Sequence, residues 1–181
     1  RHHSGARGAL TVGGAGSFTT AQADQAITLD TTTNAITGAV TFTTATGGGN
    51  TGNVTIDNGV TALNLGTSTI AGSLTATSGN VAGITDSGTL TVANGASFTT
   101  DANAGVINLG TLALTGGSLT LDTDGAGTVT IVNTVGIDLA ANTTIGGATS
   151  ITATTGNITD SGTFTVGAGG ATFVTTANNA T

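Results

Sequence analysis

The chain contains no cysteine, proline, methionine, tryptophan or tyrosine, and neither lysine nor glutamate occurs in it. Each absence excludes something. Without cysteine there are no disulfides and no thiolate metal sites, so stability must come from packing. The lack of proline suits a sheet whose strands are paired on both sides, because a ladder position cannot lose its N–H. Charged residues make up only 6% of the sequence, far below the ordinary share of about 25%. The formal charge is −7, and both cations, Arg1 and Arg7, lie in the first seven positions. Phosphate recognition needs Lys and Arg, so nucleic acids and anionic lipid surfaces are poor partners. No apolar run reaches the roughly 18 residues of a membrane-spanning helix. No apolar signal-peptide core opens the sequence, and any export signal is expected upstream or already removed.

What is present is glycine, at 31 residues, abundant threonine, and a 37% hydrophobic fraction of evenly spaced Val, Ile, Leu and Phe. Disorder requires low hydrophobicity as well as few packing residues, so this chain is expected to fold.

It also repeats. Gly8 to Thr20 (GALTVGGAGSFTT) returns as Gly88 to Thr100 (GTLTVANGASFTT) and begins again at Gly162 (GTFTV). Between these anchors Asn53–Ile56 answers Thr128–Ile131, Ser73–Thr77 answers Ser150–Thr154, and Ile84–Gly88 answers Ile158–Gly162. The sequence therefore divides into modules 8–87 and 88–161 and a partial third, 162–181, forming one domain of stacked repeats. Val81-Ala82-Gly83 has no counterpart after Asn157, the kind of small insertion that belongs at a turn. Residues 1–7 do not resemble the rest and read as a tag, a processed end or a natural edge.

Leu10-Thr11-Val12, Ile27-Thr28-Leu29, Val54-Thr55-Ile56, Leu90-Thr91-Val92, Leu119-Thr120-Leu121 and Phe164-Thr165-Val166 alternate apolar residues with Thr. That period of two marks half-buried strands, and β-branched Thr favours extended backbone on the outer side. Gly13-Gly14, Gly47-Gly48-Gly49, Asn58-Gly59, Asn94-Gly95, Gly116-Gly117, Gly125-Ala126-Gly127 and Gly146-Gly147 punctuate these strands as turns. No segment has helical periodicity with good helix formers. The repeat selects a parallel β-solenoid over a sandwich or barrel. If each module divides into four, the coils have roughly 18–20 residues, and about nine of them stack at about 4.8 Å into a rod of roughly 45 Å.

The phrases GALTV…SFTT…ITLD, GAVTFTT, GNVTIDNGVTALNLGTSTIAGSLTATSGN and ITDSGTLTV resemble the repeat tracts of bacterial filamentous-haemagglutinin-like surface proteins, over residues 8–181. The resemblance implies a right-handed parallel β-helix on the cell exterior, in an adhesin or fibre. That family's amino-terminal secretion domain is not present in this sequence.

For chemistry the sequence offers nine Asp and two His. Paired carboxylates could serve as the acid and base of a glycosidase, but β-helix polysaccharide enzymes also need cationic or aromatic residues to hold sugar, and residues 8–181 have no Lys, Arg, Tyr or Trp. A non-catalytic chain without cofactors is expected. Asp122 and Asp124, two apart before Gly125, are the best metal candidates, because that spacing opens a calcium loop. The remaining ligands of such a loop are missing, so a solvated turn is the competing reading. His2 and His3 could bind metal as an exposed pair. Asp86 and Asp160 recur in equivalent Asp-Ser-Gly turns, where the side chain is expected to bond local backbone. Sequons at Asn53, Asn142, Asn157 and Asn179 are no more than a Thr-rich composition yields. Thr-x-Thr at 41/43, 75/77, 89/91, 128/130, 152/154 and 163/165 raises ice binding as an alternative, which regular rows on one flat face would favour. The leading expectation is a structural segment of an extracellular fibre or adhesin. Neither end carries a charged or helical cap, so self-association through the solenoid ends is expected, with neighbouring fibres or host surfaces as further partners.

Overall fold

The computed structural model describes residues 8–47, 52–140 and 143–177, all of it strand, turn and bend. Gly48, Gly49, Asn142, Asn179, His2 and His3 lie outside the described residues. Every strand pairing is parallel. The chain is an all-β solenoid of about seven coils.

Each coil crosses two sheets in turn. β1 (Thr11–Val12) belongs to a separate two-stranded sheet, sheet I receives β2 (Gly16–Thr19), and sheet II receives β3 (Ile27–Leu29). β4 (Ala35–Ile36) pairs with β1 in that small sheet, sheet I continues with β5 (Ala39–Thr43), and sheet II with β6 (Val54–Asp57). Next come β7 (Leu63–Leu65) and β8 (Ser68–Ile70) in sheet I, then β9 (Leu74–Ser78) in sheet II. β10 (Ile84–Asp86) and β11 (Leu90–Val92) follow in sheet I, and β12 (Ala96–Thr100) in sheet II. The alternation goes on through β13 (Ile107–Leu114), β14 (Leu119–Thr123) and β15 (Val129–Asn133). β16 (Ile137–Leu139) and β17 (Thr143–Ile145) lie in sheet II, β18 (Thr149–Ala153) in sheet I, and β19 (Ile158–Asp160) with β20 (Phe164–Val166) in sheet II. β21 (Ala171–Thr175) ends sheet I.

The coils are longer and fewer than a division of each module by four requires. Val54 pairs with Leu74, a step of 20 residues, whereas Ile27 pairs with Val54, a step of 27. The last full coils step by 21 and 22, from Ile137 to Ile158 and from Thr149 to Ala171. One module accordingly holds seven sheet crossings, three and a half coils. The consequence is a half-turn between modules. Phe18 is in sheet I and its repeat partner Phe98 in sheet II; Ile56 is in sheet II and Ile131 in sheet I; Ile84 is in sheet I and Ile158 in sheet II. The same phrase of sequence faces opposite sides of the rod in successive modules.

The cross-section turns with it. Around β7–β12 the sheet I side is bent into two short strands and the sheet II side is one straight strand. From β15 onward the sheet I side is straight, and the sheet II side carries the bent pairs β16–β17 and β19–β20. β13 is where the change passes through, with a register shift between Leu109 and Leu112.

Inward residues form one apolar column from Ile36 to Ala153, including Phe42, Leu65, Leu90, Phe98, Leu121 and Ile131, all fully buried. Volumes are matched along it: Phe98 lies between Ala76 below and Leu121 above. The insertion Val81-Ala82-Gly83 is a turn with Val81 and Ala82 exposed and Gly83 buried, closed by the Gly83 amide on the Asn80 carbonyl at 2.8 Å. Gly83 has φ +63°, and a Cβ there would land on the carbonyl oxygen of Val106 in the next coil. Only glycine fits that position.

Candidate functional site

Two side-chain systems stand out, one inside the rod and one on its surface. The inner one is a pair of asparagines. Asn58 follows β6 and Asn133 ends β15, closing the equivalent phrases VTIDN and VTIVN, and both are fully buried. Asn58 Oδ1 accepts the Ile36 amide at 2.9 Å, while Nδ2 donates to the carbonyls of Ile36, Thr61 and Ala62. Asn133 repeats the arrangement: Oδ1 accepts the Leu114 amide at 2.8 Å and Nδ2 donates to Leu114, Val135 and Gly136 carbonyls. Each satisfies the backbone at a corner, where the chain leaves one sheet and the ladder is interrupted. In the sequence Asn58 is marked only as part of an Asn-Gly turn and Asn133 has no assigned role, although the shared final Asn of the two phrases was the available signal.

On the surface, the outer side of sheet II assembles two columns. One runs Thr28, Thr55, Thr75, Ser97, Thr120, and the other Asp57, Thr77, Thr99, Asp122, Thr144, Thr165. Rows such as Thr75-x-Thr77 and Ser97-x-Thr99 therefore stack in register. The Thr-x-Thr pairs of the sequence do not all contribute, because the half-turn divides them. Thr75, Thr77 and Thr165 reach sheet II, whereas Thr43, Thr91 and Thr130 are in sheet I.

The best metal candidates are placed at the edge of this face. Asp122 stands on β14 between Thr99 and Thr144 of the adjoining coils. Asp124 begins the next turn, its carbonyl accepting the amides of Ala104 and Gly127 at 3.1 Å. With Asp101 they line a shallow depression of about 350 Å³. Among the described residues no group of three His, Cys, Asp or Glu could hold a metal ion.

Partial desolvation and the charges of Asp57, Asp122 and Asp124 push the Asp101 carboxyl above its ordinary value of 3.8. A carboxyl raised by folding favours the protonated native state, so its ionisation costs stability above the folded pKa, and that cost vanishes below 3.8. Asp101→Asn should therefore raise stability slightly at pH 7, and urea melts of the two proteins should converge as the pH falls below 3.8.

Asp86 departs from the local turn expected of it. Its carboxylate reaches into the next coil, accepting the amides of Gly110 at 2.9 Å and Thr111 at 2.7 Å and the Thr111 hydroxyl at 2.7 Å. It fastens the bend between β10 and β11 to the bend within β13. Asp138 does a related job, accepting from the Ser161 hydroxyl at 2.8 Å. Asp160, the repeat partner of Asp86, lies exposed at the last bent level.

Among the described residues no helix is long and apolar enough to cross a membrane. Neither a curated protein nor a solved structure matches the chain. A family model described as repeats of unknown function (DUF5649) matches residues 4–43 and 51–111, more than half of the sequence. The chain belongs to that family of repeats, with the β-solenoid described above as its architecture.

Proposed function

We propose that this chain is a non-catalytic structural segment of a bacterial extracellular fibre or adhesin, akin to the filamentous-haemagglutinin-like repeats its sequence resembles. One observation carries the reading: an unbroken apolar column, Ile36 to Ala153, enclosed by two continuous parallel ladders. Such a rod resists bending, because each coil is hydrogen-bonded to the next along two sides. Its surface supports the same reading, with Thr, Asn, Ser and Gly outermost and no Lys, Arg, Tyr or Trp from Gly8 onward. Nucleic acid and membrane insertion have no place in it. Its partners are other copies through the solenoid ends, neighbouring fibres and cell surfaces. Electron microscopy of the purified chain with layer-line analysis tests this: rods or filaments with an axial repeat near 4.8 Å are expected, and compact particles without a long axis would overturn it. Immunolabelling of intact source cells tests the location, and an exclusively internal signal would overturn the extracellular assignment.

A second reading, ice binding, is favoured by the in-register hydroxyl rows of sheet II. Asp57 and Asp122 interrupt one of its columns. An ice-recrystallisation assay decides it: a chain that leaves ice-crystal growth unchanged is not an ice binder.

A further inference from the structure

The sequence holds two Asn-Gly pairs, Asn58-Gly59 and Asn94-Gly95. This dipeptide is the one most prone to spontaneous deamidation, because glycine puts no side chain in the way of its own amide nitrogen. That nitrogen, after giving its proton to solvent base, attacks the asparagine γ-carbon. The new N–C bond closes a succinimide ring and displaces the side-chain nitrogen, which leaves as ammonia. Water then opens the ring at either carbonyl and yields aspartate or isoaspartate. A folded chain permits the reaction where the side chain can swing over the next nitrogen, where no acceptor holds the amide proton, and where water has access.

Asn58 meets none of these conditions. It is fully buried. Its Oδ1 is engaged by the Ile36 amide and its Nδ2 by the carbonyls of Ile36, Thr61 and Ala62, so turning the γ-carbon toward Gly59 breaks all of these hydrogen bonds at once. The Gly59 amide is itself held by Asp57 Oδ1 at 2.8 Å. The neighbouring coil closes over the turn, since a Cβ at Gly59 would strike the Thr32 carbonyl oxygen.

Asn94 lies on the bend between β11 and β12 and is half-buried, as is Gly95. Here the main chain is pinned to the coil below: the Asn94 amide donates to the Gly72 carbonyl at 3.2 Å, and the Gly95 carbonyl accepts the Leu74 amide at 3.1 Å. The Gly95 amide, by contrast, has no backbone acceptor among the described residues. Over it in the next coil stands Gly117, with φ +67°, where a Cβ would press on the Gly95 nitrogen. Glycine at that position leaves the nitrogen uncovered. With Ser73, Thr75 and Ser118, Gly95 borders a surface groove of about 190 Å³, which brings water to the ring.

We propose that Asn94 is a site of spontaneous deamidation in the folded rod, and that the fold protects Asn58, its equal in sequence. The isoaspartyl product inserts a methylene into the main chain between the two hydrogen bonds that tie this bend to the coil below, so modification loosens the entry to β12. Either product adds a negative charge to a chain whose only Lys or Arg residues are Arg1 and Arg7.

Incubation of the folded chain at mildly alkaline pH, followed by peptic digestion and mass spectrometry, tests the assignment. Pepsin is used because no Lys or Arg follows Arg7. The peptide carrying Asn94 should gain the mass of deamidation and accept label from an isoaspartyl methyltransferase. The peptide carrying Asn58 should change at least about 100-fold more slowly, the factor that follows from breaking several buried hydrogen bonds to reach the reactive geometry. In guanidinium chloride, where neither turn persists, the two should be modified at similar rates. Comparable rates at both sites in the folded chain overturn the protection of Asn58. An Asn94 peptide that stays unmodified in the folded chain, over a time in which the denatured chain is fully converted, overturns the assignment of Asn94. Asn94→Gln should abolish the acidic shift on isoelectric focusing and leave the circular dichroism unchanged; a shift that persists in this variant places the reaction elsewhere and overturns the proposal.

Discussion

Asn133→Ala should lower the unfolding free energy by about 3 kcal/mol, because it strips partners from buried backbone groups at a cost of roughly 1–3 kcal/mol for each group left unsatisfied. The groups at stake are the Leu114 amide and the carbonyls of Leu114, Val135 and Gly136. Leu114 has no second chance, since its amide faces the corner, where the ladder gives way to the turn toward β16. Urea denaturation followed by circular dichroism measures the loss. Asn58→Ala, in the same role on the opposite side, should cost a similar amount. The two sites share no partner, so the double variant should show the sum within about 0.5 kcal/mol. A loss below about 0.5 kcal/mol in either single variant would mean that water replaces the amide and that the corner is less closed than its burial indicates.

Phe98→Ala should cost about 3–5 kcal/mol, the range for emptying a large aromatic site in a packed core. Phe98 is fully buried, and the side chain beneath it is already the small Ala76. Collapse of the neighbours is restrained by the hydrogen bonds that hold β9, β12 and β14 in register. The comparison with Phe173→Ala sharpens the test. Phe173 is the repeat partner at the open end and is 47% exposed, so in the isolated chain its truncation should cost well under half as much. Equal losses would show that the last level is covered in solution, which connects this measurement to assembly: raising the protein concentration into the filament regime should increase the cost of Phe173→Ala and leave that of Phe98→Ala unchanged.

The half-turn between modules changes how surface features of this family should be read. A group that recurs once per module, such as the aspartate of Ile-Thr-Asp-Ser-Gly, alternates between opposite sides of the rod. It returns to one side only after two modules, seven coils or about 34 Å. A partner binding one face meets such a group at that long interval, while a two-sided partner meets it twice as often. The repeat is therefore better suited to fastening coils together, as Asp86 does, than to presenting a dense one-sided array.

The period-two segments of the sequence all became strands: Leu90-Thr91-Val92 is β11 and Phe164-Thr165-Val166 is β20, with the apolar residues turned inward. Glycine pairs fell at bends, as with Gly116-Gly117 between β13 and β14. These features were legible because they are local: alternation and positive-φ tolerance belong to a few consecutive residues, and the internal repeat belongs to the sequence itself. What the sequence determined by itself was the all-β parallel solenoid and its apolar and hydroxyl-bearing sides. Tertiary structure alone decided the coil length, the number of coils and the opposite placement of successive modules. A repeat fixes the length of a module, but each sheet crossing of about eleven residues carries the same in-out alternation, so eight crossings and seven fit the pattern equally well. Only the pairing of Val54 with Leu74 and Ile27 with Val54 sets the count. The same holds for Asp86: its turn was visible, but its partners lie 24 and 25 residues away, brought to it by the stacking of one coil on the next.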